Sequence, residues 1–165
     1  MNEDHVAKAV FFMKRWISAF LILFLLGATA SCQRAKSKSA SEILEQEMQG
    51  VESLPAGEIY RSGRNVWESG YFSPSLMASM YGKEAEERTF PLIEEYAIYL
   101  SSFPNPCEIS VFRCFSKTDV DRVAEMCLSR KETLRIGLAG MSLRARADAA
   151  TVEVQGRTVI FRMTP

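Results

Sequence analysis

A chain of 165 residues with 20 basic and 20 acidic side chains has no net charge to draw it onto nucleic acid. Its length suits one domain with its own core and is too short for two. The single histidine, His5, and the lack of any CxxC pair argue against a histidine-based triad or a zinc site, and no metal or cofactor is expected.

The run from Trp16 to Ala30 carries no charge. Its strongly apolar part, Ile17 to Leu26, is shorter than the roughly 20 helical residues that cross a bilayer core. Lys14 and Arg15 precede it and small residues follow it, the arrangement of a secretory signal. Glu3 and Asp4 make residues 1–12 unlike a signal, so Met13 is an alternative start. Ala28-Thr29-Ala30 fits a small-x-small cleavage site ahead of Ser31. Thr29-Ala30-Ser31-Cys32 resembles a bacterial lipobox, in which Cys32 takes a diacylglycerol; Ala30 and Ser31 suit it, and Thr29 stands where an aliphatic residue is usual. The lipid-anchored reading is preferred over a cleaved, secreted form and over an uncleaved anchor. Arg34, Lys36 and Lys38 just beyond the run work against the uncleaved anchor. The expected division is 1–32 signal or anchor, 33–40 polar tether and 41–165 a single extracytoplasmic domain.

Ser39 to Gln49 reads as a first helix, capped by Ser39 or Ser41, with Glu42 and Glu45 in its opening turns. Its apolar stripe, Ile43, Leu44 and Met48, is narrow, so weak packing is expected. Gly50 and Leu54-Pro55-Ala56-Gly57 stop it. Ile59-Tyr60 suggests a short strand. Tyr60, Trp67, Tyr71 and Phe72 suit a ligand platform or, more commonly for such rings, closure of one end of the core. Ser73, Pro74 and Gly82 frame a short helix ending at Tyr81, with Leu76, Met77 and Met80 inward. Lys83 to Arg88 reads as a solvated turn.

Glu95 to Ser101 and Glu108 to Phe115 form a hairpin about Phe103-Pro104-Asn105-Pro106. The second strand carries Ile109 and Val111 on one side and Phe112 and Cys114 on the other, which suits a central position. Ser116-Lys117-Thr118-Asp119 matches a capping box and opens the longest helix, to about Leu138. Val120, Val123, Cys127, Leu134 and Leu138 share one face of it. Asp119, Asp121 and Glu125 complement its N-terminal dipole and are expected to face solvent. Thr151 to Met163 is a hairpin about Gln155-Gly156, pairing Val152 with Val159 and Thr151 with Ile160. Val152, Val154, Val159, Phe161 and Met163 then share one face, with Glu153, Thr158 and Arg162 on the other.

The architecture these elements predict is an α+β two-layer sandwich: a four-stranded antiparallel sheet in the order β-β-α-β-β, one long helix on it, and short N-terminal helices. Cys114 and Cys127 are expected as small core hydrophobes, because a strand end and a position eleven residues into the helix stand about 16 Å apart along its axis. A disulfide spans at most roughly 7 Å between Cα atoms.

Leu54 to Glu58, Tyr71-Phe72-Ser73-Pro74, Met80-Tyr81-Gly82 and above all Cys107-Glu108-Ile109-Ser110-Val111-Phe112-Arg113, running into Asp119 to Arg130 and later Gln155 to Val159, form a combination of local patterns. It resembles a family of small secreted or lipid-anchored envelope proteins of Gram-positive anaerobes, catalogued as a domain of unknown function. The resemblance covers about Leu54 to Phe161 and implies an extracytoplasmic location with no assigned activity.

The expected role is that of a non-catalytic domain on the outer face of the cytoplasmic membrane, held there by Cys32 and acting through an envelope protein or a cell-wall component. One alternative is a small-ligand or glycan sensor built on Tyr60, Trp67 and Tyr71. A second is a carboxylate-based hydrolase using Glu94, Glu95 and Glu108 on adjoining strands. Contact of Arg144 and Arg146 with anionic headgroups or teichoic acid rests on two charges only.

Overall fold

The alternation of apolar side chains along residues 93–114 and 151–163 is realised as a twisted antiparallel sheet, seen in a computed structural model that describes residues 37–165. The leader, its cleavage sites, the alternative start at Met13 and the lipid-attachment residue Cys32 lie outside the described residues. Lys38–Pro165 form one compact unit. The elements in chain order are α1 (Ala40–Gln49), β1 (Gly57–Arg61), α2 (Pro74–Tyr81), α3 (Lys83–Arg88), β2 (Ile93–Ser101), β3 (Cys107–Cys114), α4 (Val120–Gly137), α5 (Arg144–Ala149), β4 (Thr151–Gln155) and β5 (Thr158–Met163).

The sheet has five strands in the order β1-β2-β3-β5-β4, each antiparallel to its neighbours. The expected four-stranded sheet is thus one strand short. Residues 57–61 pair along their whole length with β2, from Gly57 opposite Ser101 to Arg61 opposite Ala97. Strand β3 is central, as its two apolar faces require. Its even-numbered residues Glu108, Ser110, Phe112 and Cys114 face the same side as Phe161 and Val159, and its odd-numbered residues face the opposite side.

Helices α2, α3, α4 and α5 cover the even side, where Phe72, Ile98, Phe112, Val123, Met126, Cys127 and Phe161 form the larger core. Val120, Val123, Cys127 and Leu138 are buried on the predicted face of α4. The two-layer expectation fails on the other side. There Ala40 and Leu44, both 0 % exposed, press α1 onto Ala97, Tyr99, Ile109, Val111 and Ile160. The weak packing expected of α1 is wrong for a physical reason. Ala40 and Leu44 lie one turn apart, and the small side chain of Ala40 lets the helix approach the sheet closely. Three charged contacts fix it: Arg162 Nε and Nη2 reach Glu47 at 2.5 and 2.7 Å, and Arg61 Nη2 reaches Glu45 at 3.7 Å. Ser39 caps α1 in a capping box with Glu42.

Two local expectations shift. Lys83–Arg88 is a short helix rather than a turn, because Ala85 is drawn into the core. The last hairpin turns at Gly156-Arg157, so that Val154 pairs with Val159 and Val152 with Phe161. Gly156 takes the left-handed conformation there (φ +63°). Arg157 is held in the loop because its carbonyl accepts from the Cys114 amide at 2.8 Å, while its Nη1 donates to the carbonyls of Cys114 and Phe115. A pairing change of two residues leaves every side chain on its predicted face. Cys114 and Cys127 are buried free thiols, as expected, and Cys107 is a third.

Candidate functional site

Among the described residues Glu108 is the one carboxylate that the fold takes wholly out of water: it is 1 % exposed, in the middle strand, beneath α4. An ionised carboxylate in that position must be paired and hydrogen-bonded. Its Oε1 accepts from Tyr81 Oη at 2.8 Å and from Ser110 Oγ at 3.1 Å. Its Oε2 lies 2.9 Å from both Nε and Nη2 of Arg130. Arg130 also donates from Nη1 to the Met80 carbonyl at the end of α2, and its guanidinium lies 5.9 Å from the centre of the Tyr81 ring.

Four elements meet at this cluster: β3, α2, α4 and, through rings, the segment before β2. Tyr81 stands edge-on to Phe112, Phe90 and Phe72 at 5.7, 5.6 and 6.4 Å. Burial first, then the charge of Glu108 and the nearby Cys127 thiol, push the Tyr81 phenol well above its ordinary range. Tyr81 therefore stays a hydrogen-bond donor to Glu108. With both carboxylate oxygens engaged, the arrangement acts as a clamp that fixes α2 and α4 against the sheet.

The sequence pattern carries a signal for this cluster. Glu108 alternates in step with Ser110, Phe112 and Cys114 on the buried face of β3. Arg130 sits three residues after Cys127 and seven after Val123 on the buried stripe of α4. A charge of each sign on two facing apolar stripes marks a buried pair.

The three carboxylates of the hydrolase reading are not brought together. Glu95 stands opposite Arg113 and Glu108 opposite Leu100, five residues apart along β3, or about 17 Å. Glu94 and Glu95 share Arg113 Nη2 at 3.4 Å each, and Glu94 also meets Arg157 at 3.3 Å. Asp119 accepts from the Ser116 amide, and Asp121 and Glu125 are exposed, as expected of a helix N-terminus. Arg144 pairs with Asp148, whereas Arg146 is partly buried, so the two do not form one basic face.

The aromatic residues separate by role. Phe72 is core, and the Tyr60 ring packs against it at 5.3 Å. The Tyr60 hydroxyl donates to Glu58 at 2.6 Å, which pushes its pKa up to about 12. Tyr71 is half-buried. Tyr60 and Tyr71 line one open concavity of about 810 Å³ with Arg61, Arg64 and Glu68. Trp67 is not among its lining residues and stands 92 % exposed on the loop. The three predicted ligand-binding residues therefore do not form a single stacking surface.

The loop that carries Trp67 is built as a fixed feature. Asn65 Oδ1 accepts from the Trp67 amide at 3.1 Å, Glu68 accepts from the Asn65 amide at 2.8 Å, and Arg64 reaches Glu68 at 3.3 Å. Gly70 closes it by accepting from the Arg61 amide at 3.0 Å. Gly70 has φ +79°, and a Cβ there would lie 2.5 Å from the Ile59 carbonyl oxygen, so only glycine fits.

Among the described residues no group of three or more His, Cys, Asp or Glu side chains is placed to hold a metal ion, and no helix is long and apolar enough to cross a membrane. No protein-family model matches the sequence, and neither a curated protein nor a solved structure is significantly similar to it.

Proposed function

We propose that this chain is a membrane-tethered, non-catalytic domain of the cell envelope, exported by its N-terminal signal and held on the outer face of the cytoplasmic membrane by a diacylglycerol on Cys32. One observation carries the reading: a cationic flank, a short apolar run, the sequence Thr29-Ala30-Ser31-Cys32 and a polar stretch follow one another directly, and the folded unit starts at Lys38 just after them. The engagement of both Glu108 oxygens supports a structural role for this buried charge, and hence action through surface contacts.

Metabolic labelling with a radiolabelled fatty acid, with and without globomycin, tests the anchor. The expected result is label on the wild-type chain, none on Cys32→Ser, and accumulation of the unprocessed form under globomycin. An unlabelled, cytosolic protein retaining Met1 would sink the proposal.

A second reading, a small-ligand sensor, draws on the concavity beside β1 that Tyr60 and Tyr71 line with Arg61, Arg64 and Glu68. A saturable thermal shift with envelope sugars that is lost in Tyr71→Ala would favour it.

A further inference from the structure

Val66 and Trp67 are adjacent, 61 % and 92 % exposed, and sit at the tip of a loop whose backbone is hydrogen-bonded in place. Scattered apolar exposure needs no explanation, but the display of two large apolar side chains on an ordered tip does. Trp67 is the most exposed large apolar residue among those described.

The position of this loop in the fold identifies what it faces. It leaves β1 after Arg61 and returns at Gly70 along the outer edge of the same strand. The Arg61 side chain ties this edge to the start of the domain: its Nε donates to Ser41 Oγ at 3.3 Å, in the first turn of α1, and its guanidinium reaches Glu45 at 3.7 Å. The Trp67 loop and the start of α1 therefore share a base. Ser41 lies nine residues beyond Cys32, at most about 32 Å of extended chain. A lipid on Cys32 keeps that base within this distance of the headgroups, so even a weak contact of the loop with the bilayer acts at high effective concentration.

The chemistry matches a lipid surface. Tryptophan is favoured at the membrane–water interface, where its ring sits among headgroups and carbonyls. Val66 adds apolar area beside it. Arg34, Lys36 and Lys38 in the tether supply cations to anionic headgroups, while Arg64 next to the tip is paired with Glu68.

We infer that the Val66–Trp67 tip inserts into the interfacial layer of the bilayer that anchors the chain, so that the domain docks on the membrane with its β1 edge instead of moving freely on its tether. The inference rests on the Cys32 anchoring proposed above.

The test uses the chain with Trp16→Phe, which leaves Trp67 as the only tryptophan in both the unprocessed protein and the form processed at Cys32. The protein is produced with its lipid, reconstituted into vesicles of phosphatidylcholine and phosphatidylglycerol, and its emission recorded with iodide in the water or bromine on the upper acyl chain. The expected result is a blue-shifted Trp67 emission, a several-fold loss of iodide quenching relative to detergent-free soluble protein, and strong quenching by the brominated lipid. A Val66→Ser variant, which leaves the backbone bonds of the loop intact, reduces each effect. Vesicle-bound protein whose Trp67 stays fully open to iodide overturns the docking while leaving the anchor in place. Protein that carries no lipid and stays in the aqueous phase overturns both. Trp67 shielded in intact cells but open on protein-free vesicles overturns the lipid assignment in favour of an envelope protein.

Discussion

Arg130 Nε and Nη2 both lie 2.9 Å from Glu108 Oε2, which joins the middle of α4 to the central strand through an almost dry contact. The pair is worth little against a well-packed apolar replacement, yet breaking it strands a charge in the core. Glu108→Ala and Arg130→Ala are each expected to cost about 3–5 kcal/mol in urea unfolding. The double change Glu108→Leu with Arg130→Met should recover most of that loss. Additive single costs in the double variant would show that the two side chains do not act as a pair.

On the other side of the sheet, Leu44 is expected to behave as a core residue. Leu44→Ala should destabilise by about 2–5 kcal/mol, because it opens a cavity between α1 and the sheet at a fully buried position. A loss below roughly 0.5 kcal/mol, the value typical of a surface site, would mean that α1 is an appendage. Chemical denaturation followed by circular dichroism reads the difference.

Gly70→Ala should be costly out of proportion to its size. It places a Cβ 2.5 Å from the Ile59 carbonyl oxygen in a backbone conformation of positive φ. Strain of about 1–3 kcal/mol is expected, released by detachment of the loop from the β1 edge. Hydrogen exchange at the Arg61 amide, which donates to Gly70, should accelerate in the variant. Unchanged exchange there would show that the loop is not pinned at Gly70.

Alkaline pH should weaken the fold through its thiols. Burial pushes Cys107 and Cys114 from an ordinary 9.0 up to about 11, and it raises Cys127 as well. Raised folded values mean that the native state holds these protons more tightly than the unfolded chain. Their contribution is complete below about pH 9 and is lost as pH rises toward about 11. Unfolding midpoints should fall across that interval, and less so in Cys107→Ala/Cys114→Ala, whereas a flat profile would contradict the burial of the thiols. Thiol reagents at neutral pH should reach Cys107, Cys114 and Cys127 only after unfolding.

Much of the sheet was readable from alternation alone. The Phe103–Pro106 turn, the two faces of β3 and the shared face of Val152, Val154, Val159, Phe161 and Met163 follow from period two, which is a local property of the chain. The capping boxes at Ser39 and Ser116 are equally local, since cap and partner lie three residues apart.

What escaped sequence reasoning depended on partners distant in the chain. The short strand expected at Ile59-Tyr60 does form, but its place as the fifth strand of the sheet was not legible, because residues 57–61 pair with the free edge of β2 about forty residues later in the chain. Packing of α1 rests on Ala40, whose value is visible only beside Ile109 and Val111. Glu108 stands in the sequence as one of three strand carboxylates, and its burial depends on Arg130 and Tyr81, distant in the chain, closing over it. Alternation and capping were settled by the sequence itself, because their energies are decided within a few residues. The number of strands, the second helical layer and the buried ion pair were decided by tertiary structure, because burial and pairing free energies exist only once distant segments exclude water from each other.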